Sequence, residues 1–172
     1  MERKDIVTMK GNPMTLIGPQ LKAGDKAPEF TVLDNKFTSM GLRDFKGKVK
    51  LISVTTSLDT SVCDMQARRF NQEAGKLPED IVLMNISMDL PFAISRFCTT
   101  AGIDKVKTFS DHKDASFGIA YGVLVKEMRL LARSIFIVDK DNIIKYVEIV
   151  PEITNHPDYD KALEMVKKLS RS

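Results

Sequence analysis

The strongest hydrophobic signal in the chain runs from Val49 to Thr56, where aliphatic and β-branched residues follow a lysine-rich turn. Such a run predicts a strand. Behind it, Cys63, Ala67, Phe70 and Ala74 recur at helical spacing and predict an amphipathic helix. Ile81 to Met88 is almost unbroken apolar sequence, which suits a strand covered on both faces. Asp89 to Ala101 predicts a second helix, with Pro91 near its start and Gly102 just past its end. Val106–Phe109 adds a strand and Ser116–Tyr121 a short helix ending at Gly122. Leu130–Val138 and Ile143–Ile149 flank the polar turn Asp139–Asn142 and predict an antiparallel pair. Asp158–Ser170 closes the chain as a helix, with Tyr159, Ala162, Leu163, Val166 and Leu169 on its core side.

Ahead of these elements, Val7–Lys10 and Met14–Ile17 flank the turn-forming triplet Gly11–Asn12–Pro13 and predict a β-hairpin within residues 1–20. Thr31–Leu33 reads as a strand and Leu42–Phe45 as a helical turn. Strand–helix–strand–helix order with right-handed crossovers gives an α/β fold: a central mixed sheet, partly parallel, covered by helices on both faces. No repeat or linker divides the 172 residues, so one domain is expected over 1–172, long enough for a sizeable core.

Composition narrows the function. A net charge of +3 with scattered basic residues gives no nucleic-acid patch. The longest uncharged stretches, Gly11–Leu21 and Ala115–Val125, are 11 residues each, well short of the roughly 20 apolar residues that cross a membrane. Met1–Asp5 leads into polar sequence rather than the apolar core of a secretory signal, so a cytoplasmic protein is expected. Lys46–Gly47–Lys48 lacks the spacing and the Ser or Thr of a phosphate-binding loop. Cys63, Cys98, His112 and His156 share no short ligand spacing, so no metal is expected.

Two cysteines in a reducing compartment are catalytic, redox-active or simply buried. Asp59, Thr60 and Ser61 are all good helix caps, which puts Cys63 in or next to the first turn of its helix. Free backbone N–H groups and the positive end of the dipole there favour a thiolate. The same cysteine also lies on the apolar stripe, where an inert thiol is at home. From these residues alone both readings stand.

The stretch Ser57–Leu58–Asp59–Thr60–Ser61–Val62–Cys63 resembles the active-site signature of the thiol peroxidases, the atypical two-cysteine peroxiredoxins. Gly24–Phe30 resembles that family's entry segment, Ser95–Arg96–Phe97–Cys98 its second-cysteine segment, and Leu130–Leu131–Ala132–Arg133 the strand carrying its arginine. The matches fall in family order and span nearly the whole chain. One position departs. Where the peroxiredoxin pattern has a proline seven residues before the reactive cysteine, this chain has Thr56.

The resemblance implies a thioredoxin-like fold and a peroxidase acting on hydrogen peroxide and alkyl hydroperoxides. It makes Cys63 the peroxidatic cysteine and Cys98 the resolving one, joined during turnover by an intramolecular disulfide. It makes Thr60 a hydrogen-bonding partner of the thiolate and peroxide, and Arg133 the group that holds the thiolate and stabilises developing charge. It implies thioredoxin as reductant, a homodimer, and no cofactor. Two other readings use the same residues: a redox sensor or relay built on the Cys63–Cys98 disulfide, and a thioredoxin-like binding module with inert cysteines. Because 35 positions and two predicted helices separate the cysteines, one or both helices are expected to unwind in part when they pair.

Overall fold

A computed structural model describes residues 1–171. Its centre is a seven-stranded mixed sheet. β5 (Val49–Val54), β6 (Ile81–Ser87) and β7 (Lys107–Ser110) run parallel, and β10 (Ser134–Val138) and β11 (Ile144–Ile149) extend the sheet antiparallel beyond β5. β3 (Val32–Leu33) and β4 (Ser39–Met40) close the other edge. Every residue of β5 and β6 is buried, as the continuous apolar runs require.

Alternation along these strands sends side chains into two cores. Val49 and Leu51 of β5 join Ile135 and Ile137 of β10, where Phe70 of α1 (Ser61–Ala74) and Ala162, Leu163 and Val166 of α4 (Tyr159–Ser170) cover them. Phe97, Cys98 and Ala101 of α2 (Pro91–Ala101) complete that face. Ile52, Val54, Phe136 and Val138 face the opposite way. There the cover is α3 (Ser116–Ala120) and a second sheet of four strands, β1 (Glu2–Met9), β2 (Asn12–Ile17), β8 (Leu124–Val125) and β9 (Leu130–Leu131). The helices are thus unevenly shared: this second face is closed largely by β-structure.

Three local expectations change. The hairpin strands are longer than the apolar pattern suggests, and the turn falls at Lys10–Gly11, both at positive φ (+52° and +82°), the two-residue geometry that matches strand twist. Leu130–Val138 is two strands, not one. The chain leaves the small sheet after Leu131, and Ala132 and Arg133 carry it to the large sheet. The second helix begins at Pro91, so Asp89 stands outside it.

The hairpin is tied to the far end of the chain. Glu152 accepts the Thr8 hydroxyl at 2.8 Å and the backbone N–H groups of Gly11 at 2.9 Å and Lys10 at 3.1 Å. The Ile153 N–H donates to the Thr8 carbonyl at 2.9 Å.

Asp111 offers a pH test of the fold. Its carboxylate accepts the N–H groups of Phe117 at 3.0 Å and Gly118 at 2.8 Å at the start of α3. Burial pushes its pKa up to about 6, against the pull of those two N–H groups, with Asp114 raising it and Arg129 lowering it. A carboxyl raised on folding binds its proton more tightly folded than unfolded. This group's contribution therefore favours folding at low pH and is lost as pH rises from 3.8 to about 6. Asp111→Asn should accordingly gain stability relative to the wild type across that window and level off above it. Denaturant midpoints measured in parallel across the window check this, and a pH-independent difference would contradict it.

Candidate active site

The turn from β5 into α1 is built by its own backbone. The Thr60 N–H donates to the Ser57 carbonyl at 3.1 Å and the Asp64 N–H to the Thr60 carbonyl at 2.9 Å, which starts the helix at Ser61. Thr60 is the N-cap residue by position, in extended conformation, but its side chain does not cap the helix. The Thr60 hydroxyl instead donates back to the Ser57 carbonyl at 3.0 Å. Cys63 is the third residue of α1 and is 0% exposed. It is thus in the first turn, near the unpaired N–H groups of the helix start, and inside the packed face as well. Both readings of its position describe part of the geometry.

Arg133 is only 2% exposed and sits where the chain crosses between sheets. Its Nε donates to the Ile153 carbonyl at 2.8 Å and its Nη1 to Gln66 Oε1 at 2.9 Å. Among the described residues no carboxylate forms an ion pair with it. A guanidinium buried against neutral acceptors alone is an unusual expense in a core. Gln66 lies one helical turn beyond Cys63 and is fully buried. Its amide nitrogen donates to Ser53 Oγ at 2.7 Å, which fixes the oxygen toward Arg133.

Tyr159, the first residue of α4, brings the pieces within electrostatic reach of one another. Burial raises its pKa, Arg133 and Arg69 pull it down, and Cys63 pushes it up. The Arg69 guanidinium lies 5.3 Å from the Tyr159 ring centre, and the Tyr159 hydroxyl bonds His156 Nδ1 at 2.8 Å.

Cys98 lies on the other helix in different surroundings. It is a free thiol, as is Cys63, and is half-buried. Burial raises its pKa, and a contact with the Thr108 hydroxyl at 3.6 Å works the other way. With Phe97, it packs at the edge of a small apolar cluster of Leu58, Ala67 and Ile94 that joins the Cys63 turn to both helices. A cleft of 680 Å³ opens beside Cys98, Thr99, Ile103 and Thr108, and Cys63 is not in its lining. Gly102 ends α2 in the left-handed conformation, φ +71°.

Sequence reasoning marked Cys63, Cys98, Thr60 and Arg133. The structure joins Arg133 to Gln66, one helical turn along from Cys63, puts the Thr60 hydroxyl on Ser57, and leaves Cys98 on a neighbouring helix. It adds Gln66 and Tyr159, which the sequence reading passed over. A glutamine interrupting an apolar helix face was the available signal for Gln66; Tyr159 looked like any core aromatic. Thr56, in the place of the expected proline, is 2% exposed, and its hydroxyl has no hydrogen-bond partner among the described residues. No group of histidine, cysteine or acidic side chains among the described residues has the arrangement of a metal site.

Comparison with known proteins gives the arrangement a context. A family model described as Redoxin matches residues 22–163. A protein named thiol peroxidase from Halalkalibacterium halodurans is 55% identical over 161 residues, covering 94% of this chain and 96% of the relative. One of the same name from Bacillus subtilis is 55% identical over 163 residues, covering 95% and 97%. The crystal structure of a peroxiredoxin-like protein from Aquifex aeolicus superposes with a TM-score of 0.90 at 39% identity, covering 98% of both chains.

Proposed function

The chain belongs to the redoxin family, among its thiol peroxidases, and from that premise we propose how its own residues divide the work of thiol-dependent peroxide reduction. Cys63 is the peroxidatic residue. Its thiolate sulfur attacks one peroxide oxygen, the O–O bond breaks, and the departing oxygen leaves as water or an alcohol after taking up a proton. Cys63 becomes a sulfenic acid.

The observation that carries this assignment is the buried Arg133. Among the described residues its charge is met only by the neutral oxygens of Ile153 and Gln66, and Tyr159 lies within electrostatic reach of both it and Cys63. A cation kept in that state is poised for an anion, first the thiolate and then the negative charge growing on the leaving oxygen. Gln66 positions it. The helix start adds N–H donors at the same end. Thr60 is the further hydroxyl available to thiolate and peroxide, once it turns from the Ser57 carbonyl.

Cys98 resolves the intermediate: its sulfur displaces hydroxide from the sulfenic acid, water is released and a Cys63–Cys98 disulfide forms. Two features favour movement at the Cys98 end of α2. The helix stops in a left-handed glycine just beyond Cys98, and the cleft leaves that end uncovered. Thioredoxin then returns both thiols by exchange, taking the disulfide onto itself. We place this cycle in the cytoplasm and in a homodimer that meets around the Cys63 loop and Ser116–Tyr121, where Ile119 is exposed. No described helix is long and apolar enough to cross a membrane.

Cys98→Ser tests the second half of the cycle. It should form one sulfenic acid per chain, trapped by a 1,3-dione and seen by mass spectrometry, yet lose thioredoxin-supported turnover. Undiminished turnover with thioredoxin would assign resolution to another group.

A further inference from the structure

Asp89 follows β6 and comes two positions before α2, close enough to the helix start for a carboxylate to accept that helix's free N–H groups. It does not do so here. Leu90 occupies the cap position with no side-chain cap bond, and the Asp89 carboxylate turns to the other cysteine's loop. Oδ1 accepts the Ser57 hydroxyl at 2.9 Å; Oδ2 accepts the Leu58 N–H at 2.9 Å and the Ser87 hydroxyl at 2.8 Å. The Asp89 carbonyl accepts the Ser110 hydroxyl at the end of β7. A single residue thus fastens the ends of two parallel strands to the turn that launches α1.

We propose that Asp89 is a positioning residue for the peroxide step, acting through Ser57 and Leu58 rather than on the peroxide. This rests on Cys63 being the thiol that meets peroxide, as proposed above. The Ser57 carbonyl receives both the backbone N–H and the hydroxyl of Thr60, and the Thr60 carbonyl receives the first helical N–H, that of Asp64. A shift of Ser57 is therefore passed along the turn to Thr60 and the helix start, and so to Cys63 relative to Arg133. Leu58 is held from its other side as well, packed with Ala67 of α1 and Ile94 of α2. Reacting atoms displaced by about 1 Å can lose on the order of 100-fold in rate.

The experiment measures the second-order rate of the full chain with hydrogen peroxide, together with its thermal midpoint, for the wild type, Asp89→Ala, Asp89→Asn, Ser57→Ala and Cys63→Ser. Asp89→Ala should react about tenfold more slowly or worse while still folded. Asp89→Asn, which keeps an oxygen for the Leu58 N–H, should recover part of that loss. Ser57→Ala should also slow the reaction, and a further chain carrying both Asp89→Ala and Ser57→Ala should be little slower than Asp89→Ala alone. The rate at which thioredoxin reduces the preformed disulfide should stay within a few-fold of wild type. A lower midpoint with the wild-type peroxide rate in the folded Asp89 variants overturns the inference. If Asp89→Ala does not fold, wild-type rates in Asp89→Asn and Ser57→Ala overturn it equally. A Cys63→Ser chain that still consumes peroxide instead overturns the reading beneath it.

Discussion

Cys63→Ser is expected to reduce peroxide consumption to background, a loss on the order of 1000-fold or more, as when a nucleophile is deleted from an enzyme. A serine hydroxyl does not ionise in the neutral range, and its oxygen cannot take up an oxygen atom as sulfur does. The fold should survive. The replacement is nearly isosteric at a position that is 0% exposed, and the penalty is a buried hydroxyl short of partners, about 1–3 kcal/mol. Unchanged far-ultraviolet circular dichroism beside a flat peroxide-consumption trace is the expected pair of results. A variant that still turns over would transfer the chemistry to Cys98 or to another group.

The second large effect is expected at Arg133. Arg133→Met removes the one buried cation of the site, and activity should fall about 100- to 1000-fold, the range seen when a preorganised donor to a developing negative charge is lost. Stability should change far less, because two effects oppose. The Ile153 carbonyl and Gln66 Oε1 each lose a donor, at about 1–3 kcal/mol apiece. Against that, a buried charge without a carboxylate partner disappears, which relieves several kcal/mol of desolvation cost on its own. Arg133→Lys keeps the charge but cannot span both acceptors as the planar fork does, and should fall between wild type and methionine. Peroxide rates and denaturant midpoints read side by side check the pair. A methionine variant within a few-fold of wild-type rate would leave Arg133 a purely structural residue.

How much of this was written in the sequence depends on the distance over which each feature is decided. β5 and β6 were legible because a strand buried on both faces must be apolar throughout, and that is visible in one window. α1 was legible for a similar reason, from its stripe and its capping residues. The split of Leu130–Val138 was not. The run is uniformly strand-like, and the change of sheet at Ala132–Arg133 depends on β9 pairing with β8 while β10 pairs with β5. Two-residue strands such as β4 and β8 carry no period at all. At the site, Cys63, Cys98, Thr60 and Arg133 stood out by resemblance and spacing. Gln66, Asp89 and Tyr159 did not, because what they do is settled by partners 67, 31 and 32, and 90 positions away that only the folded chain brings near. Thr60 shows the opposite case: the residue was visible, but the direction of its hydroxyl was set by the turn it closes.

The bond between hairpin and loop bears on the order in which the molecule is made. Glu152 and Thr8 are 144 positions apart, and the carbonyl next to Glu152, that of Ile153, is the one that seats Arg133. A nascent chain emerging from the ribosome therefore exposes Cys63 and its helix long before the segment that anchors the arginine has been synthesised. During that interval the thiol is present without a seated guanidinium, and on the proposed roles reactivity waits until the segment around Ile153 has been made.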